Sequence, residues 1–497
     1  MGQPDMPLFP AVLVANRGEI ACRVIRTLQR LGIRAVAVYH FEDRKAPHVA
    51  LADAAVELIG AVPTAAYLDG GQIIAAAKVQ GAAAIHPGYG FLSENAGFAK
   101  AVAEAGLTFI GPDAASMHLM GDKIRSRDYA RDQGVPVAPS LDLSGDAAAI
   151  AAQAAKVGYP LLIKASAGGG GKGMKIVRGP DELAEAASLA ASEAKRYFGD
   201  GRVYAEKLVQ MPRHIEVQVL GDGQGNVLHF GERECSLQRR YQKIVEEAPA
   251  PNLPEKLRAA ICDAAVKLAS AAKYRNAGTV EFILGSDGAF YFLEMNTRLQ
   301  VEHPVTEAVY GVDLVEQQLR IAAGLPLPCK QDELRRRGHA IEVRLCAEEP
   351  ERDFRPAVGR IGLLRIPQGD GLRWDGGILE GQAVTPAFDS MLAKVIAYGA
   401  DRDEAAARLH QGLEELALLG VNHNGDYLTR ILAHPEFLAG RLHTGFLAEQ
   451  AATLSPPPLS AETEQAAAIA AALGTEDIRR ALLATPEPQA SIGAWRN

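Results

Sequence analysis

The sequence predicts an α/β fold made of three successive domains. A strand, a helix and a second strand follow one another at the start of the chain, a glycine-rich loop lies between two strands near residue 170, and strands dominate from Pro212 onward. At about 150 residues per domain, the 497 residues of the chain suffice for three such units.

The first domain is expected over residues 8–125. AVLVAN reads as a strand, IACRVIRTLQRLG has the apolar spacing of a helix, and IRAVAVYH reads as a buried strand. Strand, helix and strand in this order form a βαβ unit, which implies a parallel sheet. Because the alternation continues through GGQIIAAAKVQG, AAAIH and LTFIGP, we expect a Rossmann-like domain.

The rest of the chain is expected to form a small lid domain (126–211), an α+β domain (212–450) and a linker with a short helical tail (451–497). In the lid, the predicted strands PLLIKAS and GMKIVRG flank the glycine-rich loop, and VYAEKLV is a further predicted strand near the end of the domain. Strand-like segments such as HIEVQVLGD and AFYFLEMN, with helices near 311–323 and 402–419, predict the α+β domain. The tail contains the proline-rich linker LSPPPLS, followed by alanine-rich sequence that predicts two short helices.

Composition excludes several classes of protein. A net charge of −8 with 48% hydrophobic residues is typical of a globular chain rather than a disordered one, and a pI near 5.9 argues against nucleic-acid binding. No apolar run approaches the ~18 residues that span a bilayer, and the first ten residues lack the pattern of a signal peptide. The five scattered cysteines have no zinc spacing and are expected to be reduced. We therefore expect a cytoplasmic protein that binds neither nucleic acid nor membrane.

The glycine-rich loop AGGGGKG at 167–173 has the composition of a phosphate-binding loop. Glycines let several backbone N–H groups point at one anion and permit positive φ. The loop is not a Walker A motif, because Lys172 is followed by Gly173 rather than by Ser or Thr. A plain hairpin turn is the alternative, but such a turn needs only two residues, so the additional glycines favour a phosphate lid.

The hairpin TVEFIL-GSDG-AFYFLEMN places two carboxylates together. A turn at 285–288 puts Glu281 opposite Phe292 and diagonal to Glu294 on the same face, about 7–8 Å away. Two like charges on a half-buried face are costly unless a cation lies between them. Oxygen ligands favour Mg²⁺ or Mn²⁺ bridging nucleotide phosphates. The alternative is a solvated face on which each glutamate pairs with an arginine.

Polar residues continue at every second position after this hairpin. In an extended segment they line one face, because side chains alternate. That face would hold metal ligands at one end, a fixed cation in the middle and a carboxylate base at the other end. An exposed strand edge is the alternative, although Lys and Thr are the more usual residues there. The five residues are Glu294, Asn296, Arg298, Gln300 and Glu302.

Two clusters and one histidine are less specific. HPGYGFLSEN (86–95) is consistent equally with a plain turn and with a site. ERECSLQRRYQK (232–243) contains Gln238, Arg239, Arg240 and Lys243, and a solvated basic face explains it equally well. His214 begins a strand, where a structural role is the more common one.

Taken together, these segments resemble the biotin carboxylase family of ATP-grasp enzymes. The resemblance covers residues 8–450, and EMNTRLQVEHPVTE is its most specific motif. It implies that ATP phosphorylates bicarbonate to carboxyphosphate, which releases CO₂ to the deprotonated N1′ of biotin and yields carboxybiotin, ADP and phosphate. The matching segments are NRGEIA, HPGYGFLSEN, GDK (121–123), KASAGGGGKGM, PRHIEVQV, ERECSLQRR, KIVEEAPAP, EFI, EMNTRLQVEHPVTE and GVDLVEQQLRIAAG.

The resemblance also implies roles for individual residues. The expected ATP contacts are Lys123, Lys164, Gly168, Gly169, Gly170, Gly171 and Gly173 at the phosphates, Glu206 and Lys207 at the adenine end, and His214 and Gln238 elsewhere on the nucleotide. Two divalent ions, Mg²⁺ or Mn²⁺, would be ligated by Glu281 and Glu294 with support from Asn296. Bicarbonate would be held by Lys243, Arg298, Gln300 and the backbone of Val301, with Glu302 as the base. Biotin would meet Arg344, which stabilises its enolate, and Tyr89 and Asp389 near the ureido ring.

One position departs from the family pattern. Tyr241 occupies a place where the family often has histidine, which puts one ribose contact in doubt, although a tyrosine hydroxyl could replace it. Segment 422–447 looks more like the α-subunits of acyl-CoA carboxylases of the methylcrotonyl-, geranyl- or propionyl-CoA type than like the free-standing subunit of bacterial acetyl-CoA carboxylase.

The expected partners follow from the resemblance. No AMKM-like biotinylation motif occurs in the 497 residues, since the only Met-Lys pair is Met174-Lys175. Either the chain is the truncated carboxylase part of a longer subunit, which the proline-rich linker and abrupt end favour, or biotin arrives on a separate carrier protein. A carboxyltransferase subunit is expected as a partner, and a homodimer is an option that the chain alone does not decide.

Two other functions are compatible with parts of the sequence. A carbamoyl-phosphate synthetase-like ligase would phosphorylate bicarbonate without needing Arg344 and Tyr89 near a ureido ring. A nucleotide-binding scaffold that has lost catalysis is suggested only by Tyr241. Its sequence would be expected to lose costly charged groups first, yet Glu302, Arg298 and Lys243 are all present.

Overall fold

A parallel sheet organises the first part of the chain, as the βαβ pattern predicted. The structure is a computed structural model that describes residues 8–144, 146–166, 174–456 and 460–482. The strands of this sheet are β1 (Ala11–Val14), β2 (Arg34–Tyr39), β3 (Ala54–Glu57), β4 (Ala84–His86) and β5 (Thr108–Phe109), in the order β3-β2-β1-β4-β5. The helices of this part are α1 (Gly18–Arg30), α2 (Pro47–Leu51), α3 (Pro63–Tyr67), α4 (Gly70–Val79), α5 (Ala96–Glu104) and α6 (Ala114–Gly121).

Both faces of the parallel sheet are buried. Along β1, Ala11 and Leu13 belong to one apolar core, whereas Val12 and Val14 belong to another. This alternation explains why AVLV is a continuous apolar run, since a parallel sheet is covered by helices on both sides.

Short polar side chains begin three of these helices and the next one, α7 (Lys123–Asp132). Asp69, Asn95, Asp113 and Asp122 each accept a hydrogen bond from the backbone N–H three residues further on. Such N-caps satisfy a donor that the helix itself leaves unpaired. Asp122 thereby fixes the start of α7, where Lys123 faces the site described below.

The second part of the chain is a smaller antiparallel sheet with two helices. Its strands are β6 (Ser140–Asp142), β7 (Leu161–Ala165), β8 (Lys175–Val177) and β9 (Val203–Lys207), in the order β6-β9-β7-β8, and its helices are α8 (Ala147–Val157) and α9 (Pro180–Phe198). The predicted phosphate-binding glycines, Gly168 to Gly171 and Gly173, lie outside the described residues.

A large antiparallel sheet dominates the third part, which confirms the predicted α+β class. Its described strands, in sheet order, are β14 (Phe290–Asn296), β13 (Arg275–Leu284), β10 (Arg213–Asp222), β11 (Val227–Arg239), β12 (Gln242–Ala248), β15 (His339–Cys346), β22 (Met391–Gly399) and β20 (Leu372–Gly376). The elements of this part begin with β10 (Arg213–Asp222), β11 (Val227–Arg239), β12 (Gln242–Ala248), α10 (Glu255–Ala271), β13 (Arg275–Leu284), β14 (Phe290–Asn296), α11 (His303–Tyr310), α12 (Leu314–Ala322) and β15 (His339–Cys346). They continue with β16 (Glu348–Glu349), β17 (Arg355–Pro356), β18 (Gly359–Arg360), β19 (Leu363–Arg365), β20 (Leu372–Gly376), β21 (Ala383–Val384), β22 (Met391–Gly399), α13 (Arg402–Glu415), β23 (Ala417–Leu419), α14 (Gly425–Ala433), α15 (Pro435–Leu438), α16 (Phe446–Glu449) and α17 (Ala451–Leu454).

The chain divides into two compact units, one ending at Leu454 and one beginning at Ser455. In the second unit a single helix, α18 (Ala461–Leu482), replaces the two short helices predicted there. The prediction treated Gly474 as a break, but a glycine inside an alanine-rich helix costs only about 1 kcal/mol. None of the helices among the described residues combines the length and apolarity that crossing a bilayer requires.

The register of the β13–β14 hairpin differs from the prediction. Glu281 pairs directly with Glu294 rather than lying diagonal to it, and Phe292 pairs with Phe282. Two features cause the shift: the turn extends to Ala289, whose carbonyl accepts from Gly285 N–H at 2.8 Å, and the register shifts by one residue between Glu281 and Phe282. An extra residue in one strand is a β-bulge, which sequence alternation alone does not reveal.

The segment from Glu294 to Glu302 is not extended throughout, contrary to the prediction. Strand β14 ends at Asn296, and Glu302 is the N-cap residue of α11 with φ −82° and ψ 11°. The polar residues nevertheless converge, because the loop folds back on itself: Arg298 Nη2 donates to Asn296 Oδ1 at 3.0 Å and Arg298 Nη1 to Gln300 Oε1 at 3.1 Å. They therefore meet through a turn rather than through strand alternation.

Candidate active site

A cavity of about 880 Å³ collects the predicted site residues from all three parts of the first unit. It is lined by Tyr89, Lys123, Lys164, Glu206, Lys207, His214, Gln238, Lys243, Glu281, Glu294, Asn296, Arg298, Gln300, Val301, Arg344 and Asp389. Glu302 is the one predicted residue within the described ranges that does not line it. Its side chain is fully buried, and it contacts two of the lining cations.

Lys243 on β12 lies at the centre of the charged groups. Its Nζ donates to Glu216 at 2.5 Å, to Glu302 at 2.6 Å and to Glu281 at 3.0 Å. These three carboxylates use all three N–H groups of the ammonium. Burial alone would lower the pKa of Lys243, but the three negative charges raise it well above its ordinary value, so the residue is a permanent cation.

Glu302 joins Lys243 to Arg344. One carboxylate oxygen accepts from Lys243, and the other accepts from Arg344 Nη2 at 3.0 Å. Burial on its own would raise the pKa of Glu302, but the charges of Lys243 and Arg344 outweigh it and hold the pKa below its usual range. The carboxylate is therefore ionised and able to accept a proton, with a basicity that its two cations control.

Arg344 on β15 is held by a second carboxylate. Its Nε donates to Glu246 at 2.7 Å. Burial raises the pKa of Glu246 to about 7, with Arg344 acting against that rise. Tyr89 and Asp389 line the same cavity, and the ring of Tyr89 lies 5.9 Å from the Lys394 ammonium. A fixed guanidinium in this position can stabilise an oxyanion that forms in the cavity.

The two hairpin carboxylates have different surroundings. Glu281 accepts from Asn296 and Gln300, each at 2.8 Å, in addition to Lys243, and its second oxygen lies 2.8 Å from His214 Nε2. Burial would raise the pKa of Glu281, but Lys243 and His214 hold it well below its usual range.

Glu294 pairs with Lys123 at 2.9 Å. The charge of Glu294 raises the pKa of Lys123 against the opposing effect of burial. The two directly paired glutamates and the amide of Asn296 thus line the cavity side by side. Carboxylate and amide oxygens are a donor set that suits Mg²⁺, and lysine ammoniums supply the compensating charge in this structure.

The predicted nucleotide contacts among the described residues lie on β7, β9, β10 and β11 and at the start of α7. Lys164 forms a buried ion pair with Glu206, and Lys207 Nζ donates to the carbonyls of Gly158 at 3.1 Å and Tyr159 at 2.8 Å. Gln238 Nε2 donates to His214 Nδ1 at 2.8 Å. His214 is therefore fixed between Gln238 and the Glu281 carboxylate.

The basic cluster at 232–243 is a hairpin rather than a solvated face. Gln238 and Lys243 line the cavity, while Arg240 is exposed and pairs with Asp353 at 2.6 Å. Arg240 and Tyr241 form the turn with φ of +50° and +67°, as two-residue hairpin turns require. Tyr241 is 53% exposed and lines the cavity, so a ribose contact by its hydroxyl stays a prediction.

Glu216 and Glu19 belong to this site but were not predicted from the sequence. Glu216 binds Lys243 with one oxygen and the buried Arg233 with the other at 2.5 Å. A signal existed, because a glutamate inside the apolar strand HIEVQV has to be compensated. Glu19 also lines the cavity. It follows the glycine turn after the first strand, the end of a parallel sheet where ligands commonly bind.

Three segments of the chain match known protein families. Residues 8–117 match the family "Biotin carboxylase, N-terminal domain" and residues 342–449 match "Biotin carboxylase C-terminal domain". Residues 122–330 match "Carbamoyl-phosphate synthase L chain, ATP binding domain". The flanking matches separate the chain from the carbamoyl-phosphate synthetase-like alternative.

Curated relatives agree with these matches. A biotin carboxylase from Pseudomonas aeruginosa is 47% identical over 442 residues, which is 88% of this chain and 98% of that protein. The chain belongs to the biotin carboxylase family. A methylcrotonoyl-CoA carboxylase subunit alpha from Dictyostelium discoideum is 44% identical over 498 residues, covering 99% of this chain and 71% of the relative. The predicted enzyme class, an ATP-dependent ligase of the biotin carboxylase type, is confirmed.

Solved biotin carboxylases have the same fold. The biotin carboxylase domain dimer of the Hydrogenobacter thermophilus 2-oxoglutarate carboxylase, in complex with MgADP, ADP and bicarbonate, has a TM-score of 0.87 and 44% identity, covering 90% of this chain and 99% of that one. The Campylobacter jejuni biotin carboxylase in complex with β-γ-ATP has a TM-score of 0.86 and 42% identity, covering 89% and 99%. The α/β class with an ATP-grasp region is thereby confirmed.

Proposed function

We propose that this chain carboxylates biotin at N1′ with ATP and bicarbonate, as the first half-reaction of an acyl-CoA carboxylase. One observation carries the proposal: Lys243, Glu302 and Arg344 form a continuous buried chain of charges beside the cavity. That chain provides a fixed cation for an anionic substrate, a carboxylate base and a second cation for a developing oxyanion.

Bicarbonate would bind to Lys243, Arg298, Gln300 and the backbone of Val301. Its negative charge would compete with Glu302 for Lys243, and weaker compensation raises the pKa of a carboxylate. Glu302 would then take the bicarbonate proton as the bicarbonate oxygen attacks the γ-phosphorus of ATP and ADP leaves. Burial of Glu302 keeps water from competing for that proton transfer.

The nucleotide would extend from the Lys164–Glu206 pair to Lys123, with His214 and Gln238 beside it. Lys207 and Glu206 would lie at the adenine end, and the glycine-rich loop would cover the phosphates. Glu281 and Glu294, with Asn296, are the residues that would hold two divalent cations. Such cations, Mg²⁺ or Mn²⁺, neutralise charge on the phosphates during transfer.

Biotin would bind near Tyr89, Asp389 and Arg344. The Arg344 guanidinium would stabilise the enolate oxygen that forms when N1′ loses its proton. Carboxyphosphate would break down to CO₂ and phosphate, the phosphate would take the N1′ proton, and CO₂ would add to N1′ to give carboxybiotin.

The partners and the acyl-CoA form the finer part of the proposal. We propose that biotin arrives on a carrier domain or protein, and that a carboxyltransferase subunit completes the enzyme. The methylcrotonoyl-CoA carboxylase relative aligns over 99% of this chain, against 88% for the Pseudomonas biotin carboxylase, which favours an α-subunit of an acyl-CoA carboxylase. A homodimer is proposed by analogy with the 2-oxoglutarate carboxylase domain, which was solved as a dimer.

The test is ADP release with ATP and Mg²⁺, measured with and without bicarbonate and with and without free biotin. We expect release to require bicarbonate and to increase with biotin. Release that depends on bicarbonate but is indifferent both to biotin and to added biotinylated carrier would support the other bicarbonate-phosphorylating ligase. Absence of release under all conditions would support a scaffold that has lost catalysis.

A further inference from the structure

The loop HPGYGFLSEN at 86–95 has an acidic residue that the proposed mechanism does not use. Glu94 lies just before α5, and its side chain is 41% exposed. Its carboxylate reaches across to the loop that follows β14, about 200 positions along the chain. One oxygen accepts from the backbone N–H of Thr297 at 3.1 Å, and the other accepts from Arg298 Nε at 2.8 Å.

We infer that Glu94 is a positioning residue for bicarbonate, acting through Arg298; this rests on the function proposed above. Glu94 is the only carboxylate in direct contact with the Arg298 guanidinium among the described residues. Its carboxylate accepts hydrogen bonds from the backbone of Thr297 and from the side chain of Arg298 at the same time. The backbone that precedes Arg298 and the Nε of its guanidinium are thereby held by the same carboxylate.

The contact with Nε also determines which N–H groups of Arg298 are left to bind an anion. An arginine binds a planar oxyanion in parallel fashion either through Nε and one Nη or through its two Nη groups. Glu94 occupies Nε, and the carbonyl of Leu299 with the amides of Asn296 and Gln300 accept from the Nη groups. Neutral acceptors hold a guanidinium less strongly than a carboxylate does, so the Nη end is the part of Arg298 that bicarbonate can engage.

The test measures KM for bicarbonate, ATP and biotin in the parent and in Glu94→Gln, Glu94→Ala and Glu94→Asp. Loss of a charged hydrogen bond at the anion site is expected to raise the bicarbonate KM about tenfold in Glu94→Gln and Glu94→Ala. The KM values for ATP and biotin should change by less than about twofold. Glu94→Asp keeps the charge on a shorter side chain and should recover part of the bicarbonate affinity.

Glu104→Gln is the matched control. It removes the same charge from the same part of the chain, where Glu104 forms only an exposed pair with Lys100 at 3.7 Å, and all three KM values should stay unchanged. A bicarbonate KM within about twofold of the parent in Glu94→Ala would overturn the inference. An equal rise in all three KM values, or recovery by Gln as complete as by Asp, would also overturn it, because either result indicates a general structural effect.

A second measurement separates this inference from the proposed function. Bicarbonate should raise the thermal unfolding midpoint of the parent in the presence of MgADP and should do so less for Glu94→Gln. A parent that binds bicarbonate without biotin-dependent turnover would contradict the proposed function, and the difference between parent and variant would still decide the role of Glu94. A parent that neither binds nor uses bicarbonate would overturn both.

Discussion

The Lys243 ammonium is shared by three buried carboxylates, and this arrangement is stable only because other cations share the charge. Glu216 also binds Arg233, and Glu302 also binds Arg344. With Glu246, which binds Arg344, the cluster contains four carboxylates and three cations, and His214 Nε2 lies 2.8 Å from Glu281. Removing one member leaves an uncompensated buried charge, which is far more costly than the loss of an exposed ion pair.

The first prediction at the residue scale concerns the base. Glu302→Gln should abolish bicarbonate-dependent ADP release, because an amide cannot take the proton, while ATP should still bind. Turnover is measured by coupled ADP detection and ATP binding by calorimetry. Near-full turnover in this variant would mean that another group is the base.

The second prediction concerns the oxyanion. Arg344→Ala should reduce biotin carboxylation far more than biotin-independent ATP hydrolysis, since removing one oxyanion donor costs about 10²–10³ in rate. Both rates are measured on the same preparation, together with its unfolding midpoint. Equal losses in the two rates would argue against a role at the enolate.

Which residues of the site could be read from the sequence depended on the kind of contact. Glu281 and Glu294 stood out because they lie on the two strands of one predicted hairpin, and Glu302 stood out because polar residues occupy every second position from 294 to 302. Glu216 left only the signal of a glutamate inside the apolar strand HIEVQV, and Glu94 left none, because its partner Arg298 lies about 200 positions away in the chain. No local pattern encodes the pairing of Glu94 with Arg298.

At the scale of elements, the β13–β14 hairpin decides the spacing of the acidic pair. Periodicity correctly predicted both strands and their shared face, but the bulge and the longer turn moved Glu281 directly opposite Glu294. Strand β12 was not predicted at all, because Glu246 and Glu247 interrupt its apolar pattern. These two glutamates are buried against Arg344 and Arg402, partners that only the folded sheet brings near.

The hairpin leads to a third prediction. Glu294→Gln should raise the Mg²⁺ concentration that half-saturates ADP release by about tenfold or more, since it replaces one of the two paired carboxyl groups by an amide. Asp287→Asn is the control, because it removes the same charge from the exposed turn of the same hairpin. An unchanged Mg²⁺ requirement in Glu294→Gln would contradict the assignment of Glu294 as a metal ligand.

At the scale of the whole first unit, a buried ion pair links α1 to β22. Glu19 Oε2 lies 3.4 Å from the Nζ of Lys394, which is fully buried and also donates to the Val301 carbonyl at 2.9 Å. Burial raises the pKa of Glu19 to about 7, with Lys394 opposing the rise. The parallel sheet and the large antiparallel sheet are thus joined by a group that titrates near neutrality.

The fourth prediction follows from that titration. Between the ordinary pKa of glutamate and about 7, the folded chain keeps a proton on Glu19 that the unfolded chain has lost, so the contribution of Glu19 to stability falls as pH rises through this window. Glu19→Gln does not titrate. Its thermal unfolding midpoint should therefore rise relative to the parent, by a few degrees, between pH 5 and pH 8. A difference that is constant or decreases with pH would contradict the prediction.

The continuity of the large sheet has a consequence for cutting the chain. Strand β12 belongs to the region that matches the ATP-binding family, and β15 belongs to the region that overlaps the C-terminal family, yet the two strands pair from Val245 with Val343 to Ala248 with Ala340. A break near residue 335 would leave both fragments with an uncovered strand edge and half of the Arg344–Glu246 pair. Such edges pair with strands of other chains, so halves expressed separately should aggregate. Halves produced together should reassociate by forming the β12–β15 pairing again.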